Sequence, residues 1–413
     1  MKTHYDLIVI GAGAAGIMAA ITAAEQNKKV LLLEKLSQIA AKLKATGGGR
    51  CNLTNTLGNE EFMTRFGRDG RFMRDALELL DHKGLQDFFR SIGVETHAPD
   101  GYRVFPTSHS SSTIIEALEK KMHALDITLL CKQRVQKLLS ESDQITGVET
   151  QDASFFAPHV VIATGGLGYP TLGAEGDGYR LASDVGHSVS DLNPAMMPLR
   201  TKESWVAECR ADTIAKVKLR VAIQKYKKLR ANGDLIFTKS GIRGPVVLDF
   251  ARDITPLLKK YSEVPILLNL TKGMNEDAIL KHLKEQKQKD PSASILELVS
   301  TLLPTPLSKE ICKLCEIDPS ADFNKIEGVR KDCLIKTLAW TPLTITGHDG
   351  FKMAMITRGG VSLKEIDPKT MQSKIIKGLY FCGEVMNIDG PCGGYNLQWS
   401  FSSGALAGLL KGE

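Results

Sequence analysis

The chain has 413 residues, 43% hydrophobic and 24% charged, an ordinary globular composition long enough to spread its buried core over two or three domains. Its 53 basic and 47 acidic residues leave a net +6, too slight a bias over this length to demand a polyanionic partner, although anionic substrates stay open. The eight cysteines are scattered, without the dense spacing of a secreted disulfide scaffold, so free thiols in a reducing cytoplasm are expected.

Leu7 to Ala24 is a run of 18 uncharged residues that could pass for a signal peptide or membrane anchor. Gly11, Gly13 and Gly16 at this spacing argue against a spanning helix, and Asp6 stands where a signal has its basic region. No comparable stretch follows, so no membrane partner is expected. Tyr5 to Ile10 (YDLIVI) instead reads as a buried strand that ends in Gly-Ala-Gly-Ala-Ala-Gly and passes into a helix over Ile17 to Glu25. Gly11 permits the sharp turn, Gly13 admits a pyrophosphate against the backbone, and Gly16 lets helix and strand pack closely. The amides of Ala14, Ala15 and Gly16 then face the anion. A second strand, Val30 to Leu33, delivers Glu34 to accept hydrogen bonds from ribose hydroxyls; an acid there disfavours a 2′-phosphate.

Further along, Thr46 to Asn55 (TGGGRCNLTN) carries Gly48 and Gly49 for close backbone approach and Arg50 as a permanently charged planar fork. His159 to Gly166 (HVVIATGG) reads as a buried strand ending in Thr-Gly-Gly. The next stretch interrupts the pattern: Asn193-Pro194 and Pro198 mark an exit near Leu192, and Thr341-Pro342 with Gly347 and Gly350 marks a return. Within it, Val217, Leu219, Val221 and Ile223 alternate with polar or small residues, Asn232-Gly233 precedes Asp234 to Thr238, and Val264 to Leu270 adds a β segment. A hairpin in a small sheet or barrel is expected. Asn275 then caps a helix with Glu276 and Asp277 in its first turn, Pro291 breaks it, and further helices are expected around Ile295 to Leu302, Ile311 and Leu334. Gly241-x-x-Gly244-Pro245 lacks a third glycine and a suitable following helix, so no dedicated nicotinamide domain is expected. Gly378 to Glu384 (GLYFCGE) returns to a strand that delivers Gly383 and Glu384, followed by Asp389 and Gly393 to Gln398 (GGYNLQ), a turn suited to aim a helix N-terminus at an anionic flavin.

These segments together make the chain similar to the BaiN-like, aminoacetone oxidase-like family of bacterial FAD flavoproteins. The resemblance rests on Gly11 to Gly16 with Glu34, TGGGRCNLTN (46–55), YRVFPTS (102–108), IATGG (162–166), FTKSGIRGP (237–245), TRGGVSLKEID (357–367) and GLYFCGEVMNIDGPCGGYNLQWSFSSG (378–404). It implies FAD, held non-covalently and extended along the first domain. Gly13, Ala15, Glu34 and Lys35 then lie on the adenosine side and Val135 beside adenine. Lys42, Gly49, Arg50 and Cys51 lie toward the pyrophosphate and isoalloxazine, Thr164 and Gly165 lie on the ribityl-phosphate path, and Glu384, Asp389, Gly394, Asn396 and Leu397 close over the flavin. Asn387, where the family carries an acid, and Cys392 in the flavin-side loop are departures.

The expected architecture is α/β: a Rossmann-type FAD-binding domain over 1–191 and 347–413, an inserted β-rich, barrel-like domain over 192–274 and 336–346, and a small helical subdomain over 275–335. The insert is expected to roof the flavin and shape a substrate pocket. Cys312-x-x-Cys315, with only Cys333 near it, lacks a fourth ligand for zinc and reads as packing. Cys51, Cys382 and Cys392 fall in flavin-associated segments but form no redox motif. Lys216 to Arg230 holds seven basic residues and no acid, which reads as the wet face of a hairpin or, alternatively, as a contact surface for RNA. His109, His348 and Tyr395 are proton-transfer candidates by chemistry alone. The expected activity is hydride transfer between a small organic substrate and flavin N5. Resemblance offers oxidation of a small amine or amino-ketone with oxygen as acceptor, or reduction of an activated double bond with diffusible NAD(P)H. The alternative is a non-catalytic FAD-dependent sensor or RNA-associated factor using residues 216–230.

Overall fold

A computed structural model describes residues 4–210 and 212–411, so the short start bearing Lys2 lies outside the described residues. The chain forms two compact units, Met1–Pro194 with Ala354–Glu413, and Ala195–Met353.

The first unit is built on strand β1 (Leu7–Ile10), helix α1 (Ala14–Ala24) and strand β2 (Val30–Leu33), with every residue of both strands buried. Burial on both faces explains why these strands read as unbroken apolar runs rather than as an alternation. They sit in a five-stranded sheet ordered Leu379–Phe381, His159–Ile162, β1, β2, Thr128–Leu130, parallel at every pairing. Leu7 lies opposite both His159 and Val30, so the three strands end together and bring Gly11, Ala163 and Glu34 to one edge. The expected Rossmann-type sheet is therefore what forms. The helix Tyr395–Gly408 packs on α1 through Gly404 and Gly408, where a Cβ would come within 2.3 Å of the Ala15 carbonyl and 2.4 Å of the Ala19 carbonyl. A separate three-stranded antiparallel sheet, Val135–Glu141, Gln144–Thr150 and Ser154–Phe156, lies in the chain between the parallel strands Thr128–Leu130 and His159–Ile162.

The second unit contains a closed six-stranded barrel: Leu199–Thr201, Gly241–Arg243, Arg230–Thr238, Thr213–Val221, Val264–Asn269 and Thr341–His348. Along Thr213–Val221 the chain buries Ile214, Val217, Leu219 and Val221 and exposes Lys216, Lys218 and Arg220. Asn232-Gly233 is not the hairpin turn suggested by its chemistry. It lies inside Arg230–Thr238, pairing with Lys218 and Val217, and the reversal falls over residues 222–229. Sequence also missed the helix Pro245–Tyr261, which does follow Gly244. Pro245 occupies its first turn, where a missing amide costs nothing, so proline starts this helix rather than forbidding it. Val246, Val247, Phe250, Ala251 and Ile254 on that helix join the barrel core. Four helices follow: Glu276–Lys289, capped by the Asn275 side chain accepting from the Ala278 amide at 2.9 Å, then Ile295–Ser300, Thr305–Leu314 and Gly328–Ala339. Among the described residues no helix is long and apolar enough to cross a membrane.

Candidate functional site

The junction of β1 and α1 is an open cradle. Gly11 has φ +101° and passes within contact of Ala163 and Thr164, while a Cβ on Gly16 would lie 1.9 Å from the Gly11 carbonyl oxygen. Gly13 caps α1 in an extended conformation; no side chain caps the helix, and its first turn holds no acid. A Cβ on Gly13 would meet nothing within 4 Å. The helix start thus presents amides and partial positive charge to the open space beside Gly13. Glu34 borders that space. Its carboxylate accepts from the Ala12 amide at 2.9 Å and the Leu36 amide at 2.8 Å, which fixes it and leaves lone pairs for hydroxyl donors.

Lys35 does not reach into the cradle with its ammonium. Its Nζ is 2.6 Å from Asp177 and 3.0 Å from Glu175, and Arg134 meets the same two acids at 2.6 and 2.9 Å. Burial alone would raise the Asp177 carboxyl, but hydrogen bonds from Lys35 and Arg134 outweigh it and hold Asp177 below its ordinary value. The Gln133 amide donates to the Glu34 carbonyl at 2.9 Å, and buried Val135 follows two residues on, so this cluster adjoins the acid at the end of β2. Arg134 and Asp177 were not singled out from sequence; the one available signal was an acid at the start of a helix, after Gly176.

A second cluster lies around Thr164. Gly165, at φ +68°, faces open space, and the buried Thr164 hydroxyl has no hydrogen-bond partner among the described residues. Beside it, Lys42 Nζ is 2.6 Å from Glu384 Oε2, while Glu384 Oε1 accepts from the Thr357 amide at 2.8 Å. Thr357 Oγ1 in turn accepts from the Leu167 amide at 2.7 Å. Gly383, at φ +77°, comes close to Ala15, which ties this cluster to α1. Thr357 was visible only as part of a longer motif.

The third cluster joins two distant motifs. Gly48 and Gly49 have positive φ and open space at their Cβ positions, and the Arg50 guanidinium stands 5.7 Å from the Phe105 ring centroid. Asn55 donates to the Gly393 carbonyl at 3.0 Å, and a Cβ on Gly394 would strike the Thr54 carbonyl at 2.4 Å. With its amide turned to satisfy its neighbours, Asn52 accepts from the Gly394 amide at 3.1 Å. Asn396 closes the loop on itself, accepting from the Gly390 amide at 2.8 Å and donating to the Gly390 carbonyl at 3.0 Å. Asp389 is half-buried on the same loop, and Leu397 is half-buried in the first turn of the helix Tyr395–Gly408 that follows it. Asn52 and Asn55 therefore set the position of the glycine turn, a role their motif did not disclose.

Tyr395 begins the following helix; its hydroxyl shares a hydrogen bond with that of Tyr102, and its ring lies 4.9 Å from that of Phe62. Burial, then the Tyr102 hydroxyl, push Tyr395 well above its ordinary value, so it holds its proton. Of the other proton-transfer candidates, His109 is exposed and stacks edge-on to His97 at 4.7 Å. His348 lies in the barrel unit, accepts from the Gly350 amide at 3.0 Å, and is lowered by burial. Cys51 is buried, its thiol pushed up to about 12 by desolvation, and Cys382 is raised further by the same cause. Neither is a thiolate at neutral pH.

A 3-dehydro-bile acid delta(4,6)-reductase of Clostridium scindens is 31% identical over 98% of this chain and 98% of the relative. A ribosomal RNA dihydrouridine synthase of Escherichia coli is 28% identical over 97% and 96%. Among solved structures, the 3-ketosteroid delta1-dehydrogenase of Sterolibacterium denitrificans shares the fold at a TM-score of 0.54, with 11% identity over 99% of each chain. The model of the HI0933-like protein Rossmann domain matches residues 5–410. The chain belongs to the HI0933-like Rossmann family and is an FAD-dependent oxidoreductase.

Proposed function

We propose that this chain is a reductase that adds hydride and a proton across a carbon–carbon double bond conjugated with a carbonyl, with NAD(P)H as a diffusible reductant. The observation that carries this reading is the near-full-length similarity to the bile acid reductase and the dihydrouridine synthase, whose named chemistries share that addition. Bound FAD would supply the hydride at its N5 position. The α1 amides, with Gly13 and Gly16 behind them, suit the pyrophosphate, and Glu34 suits the ribose hydroxyls. The unpartnered Thr164 hydroxyl and the open face of Gly165 suit the path between them and the flavin. The start of helix Tyr395–Gly408, held by Asn52 and Asn55, suits an anionic ring edge. Tyr395, with Tyr102 against it, keeps a proton at neutral pH and is the candidate acid for the carbon that does not take hydride.

A second observation bears on the substrate. All seven basic residues between Lys216 and Arg230 are exposed on the barrel unit. The rings of Tyr226 and Tyr261 lie 6.0 Å apart nearby, with Lys225 and Lys260 over them. Cations for phosphates and aromatic faces for unpaired bases favour RNA, in which the reducible bond is uracil C5–C6.

The test is anaerobic reduction of the holoprotein by NADH or NADPH, followed by rapid mixing with a conjugated enone, a uridine-containing RNA or oxygen. Fast flavin reoxidation by the enone or RNA, with formation of the saturated product, is the expected result. Fast reoxidation by oxygen alone, together with flavin bleaching by a small amine or amino-ketone such as aminoacetone, would overturn the reading in favour of an oxidase.

A further inference from the structure

We propose that Cys315 and Cys333 form a redox modification site that takes a peroxide and closes to a reversible disulfide. The inference is independent of the reaction proposed above, since it lies wholly within the helices of the second unit. Cys315 ends the helix Thr305–Leu314, and Cys333 lies in the second turn of Gly328–Ala339. Their Sγ atoms are 3.0 Å apart. That is shorter than the ~3.5–4.0 Å at which even carbon atoms rest against each other, and about 1 Å beyond a sulfur–sulfur bond of ~2.05 Å. Bond formation therefore requires a small side-chain movement and no rearrangement of either helix.

The surroundings favour a thiol pair over a metal site. Among the described residues no group of three or more metal-ligating side chains is assembled. The polar neighbour of the pair is Thr337, one turn beyond Cys333, with its hydroxyl 3.6 Å from Cys315 Sγ and 3.9 Å from Cys333 Sγ. Accessibility divides the roles. Cys333 is half-buried and open to a small oxidant, whereas Cys315 is 3% exposed and Cys312, one turn before it, is fully buried. Burial, followed by the contact with Cys333, pushes the Cys315 thiol up to about 12, so Cys315 holds its proton while both thiols are reduced and the more exposed Cys333 meets the oxidant first.

The chemistry balances in two steps. Cys333 sulfur attacks the peroxide, a sulfur–oxygen bond forms as the oxygen–oxygen bond breaks, and with hydrogen peroxide one water leaves. Cys315 sulfur then attacks Cys333 sulfur; the sulfur–sulfur bond forms, the sulfur–oxygen bond breaks, and the departing hydroxide takes the Cys315 proton as a second water. Two thiols lose two electrons and the peroxide gains them. A dithiol reductant reverses the change. The closed bond ties Gly328–Ala339 to the end of Thr305–Leu314 and turns residues 316–332 into a closed loop.

The experiment uses the full-length holoprotein treated with a slight excess of hydrogen peroxide, then quenched and digested without reductant. The expected result is loss of two of the eight thiols and a linked peptide pair containing Cys315 and Cys333. Native tryptic cleavage after Lys325 and Arg330 slows several-fold in the oxidised protein and recovers with dithiothreitol. Cys333→Ser abolishes the link, and Cys315→Ser leaves a sulfenic acid on Cys333 that dimedone traps. The proposal is overturned if wild type shows no such linked pair, either because Cys333 proceeds to the sulfinic acid or because other cysteines pair first. Mapping the wild-type protein decides the matter even if a serine variant fails to fold.

Discussion

Replacing Gly13 with alanine separates the cost of folding from the cost of holding FAD. Gly13 sits at φ −88° and ψ −173°, a conformation open to any residue, and its added methyl meets no protein atom within 4 Å. Alanine is a poorer helix cap than glycine but restricts the unfolded chain, and these opposing effects leave apoprotein stability within about 1 kcal/mol of wild type. The methyl group does, however, occupy the space in front of the α1 amides. Displacing the pyrophosphate from one charge-assisted hydrogen bond costs about 1.5–3 kcal/mol, which is about a 10- to 150-fold rise in Kd. Gly16→Ala provides the contrast, because its Cβ would lie 1.9 Å from the Gly11 carbonyl and the backbone must move. It is expected to destabilise the apoprotein by about 3 kcal/mol or more. Urea melts of both apoproteins, with FAD titrations followed by flavin fluorescence, test the pair. If Gly13→Ala binds FAD as tightly as wild type, the reasoning fails.

Three further outcomes follow from the same geometry. Glu384→Ala strips the Thr357 amide and Lys42 of their acceptor and is expected to lower stability by about 1–3 kcal/mol in denaturant melts, whereas Glu384→Gln, which keeps the acceptor, costs under about 1 kcal/mol. His187 has a fully buried side chain between Glu365 and Ser373, and burial outweighs Glu365 to hold it below its ordinary 6.5. A depressed histidine stabilises the fold above its unfolded value, so Tm is expected to fall as pH drops below 6.5 toward the folded value, and His187→Gln flattens that part of the Tm–pH profile. Reversing Lys218, Arg220, Lys225 and Lys227 to glutamate is expected to weaken RNA binding and lower the salt slope of log K by about 3, read by fluorescence anisotropy across salt concentrations. An unchanged slope would remove RNA as the partner of that face.

The cradle was legible in the sequence because its parts are local. Gly11, Gly13, Gly16 and Glu34 lie within one strand-turn-helix-strand unit, and their spacing carries their geometry. The barrel was legible from the alternation between Val217 and Val221 and the β segment Val264 to Leu270, but the strand partners that close it were not, since pairing between Leu199–Thr201 and Thr341–His348 joins residues far apart in the chain. Asn232-Gly233 misled because an unusual backbone conformation serves a strand as well as a turn. At Gly233, φ is +154° and the residue lies beside Val246, so the missing side chain makes room for a helix. That helix was hidden by Pro245, read as a breaker when it is a starter. The ion-pair cluster of Lys35, Arg134, Glu175 and Asp177 and the Asn55–Gly393 contact span long separations, and composition or periodicity carries no trace of them.

The physical claim beneath the account is that the amides opening α1, with Glu34 beside them, hold FAD. Its most direct measurement is the visible spectrum and flavin content of the purified protein before and after denaturation. The account predicts a bound flavin spectrum and about one FAD per chain, released intact on unfolding, as a non-covalent pyrophosphate grip requires. A colourless protein that also fails to take up added FAD would contradict it.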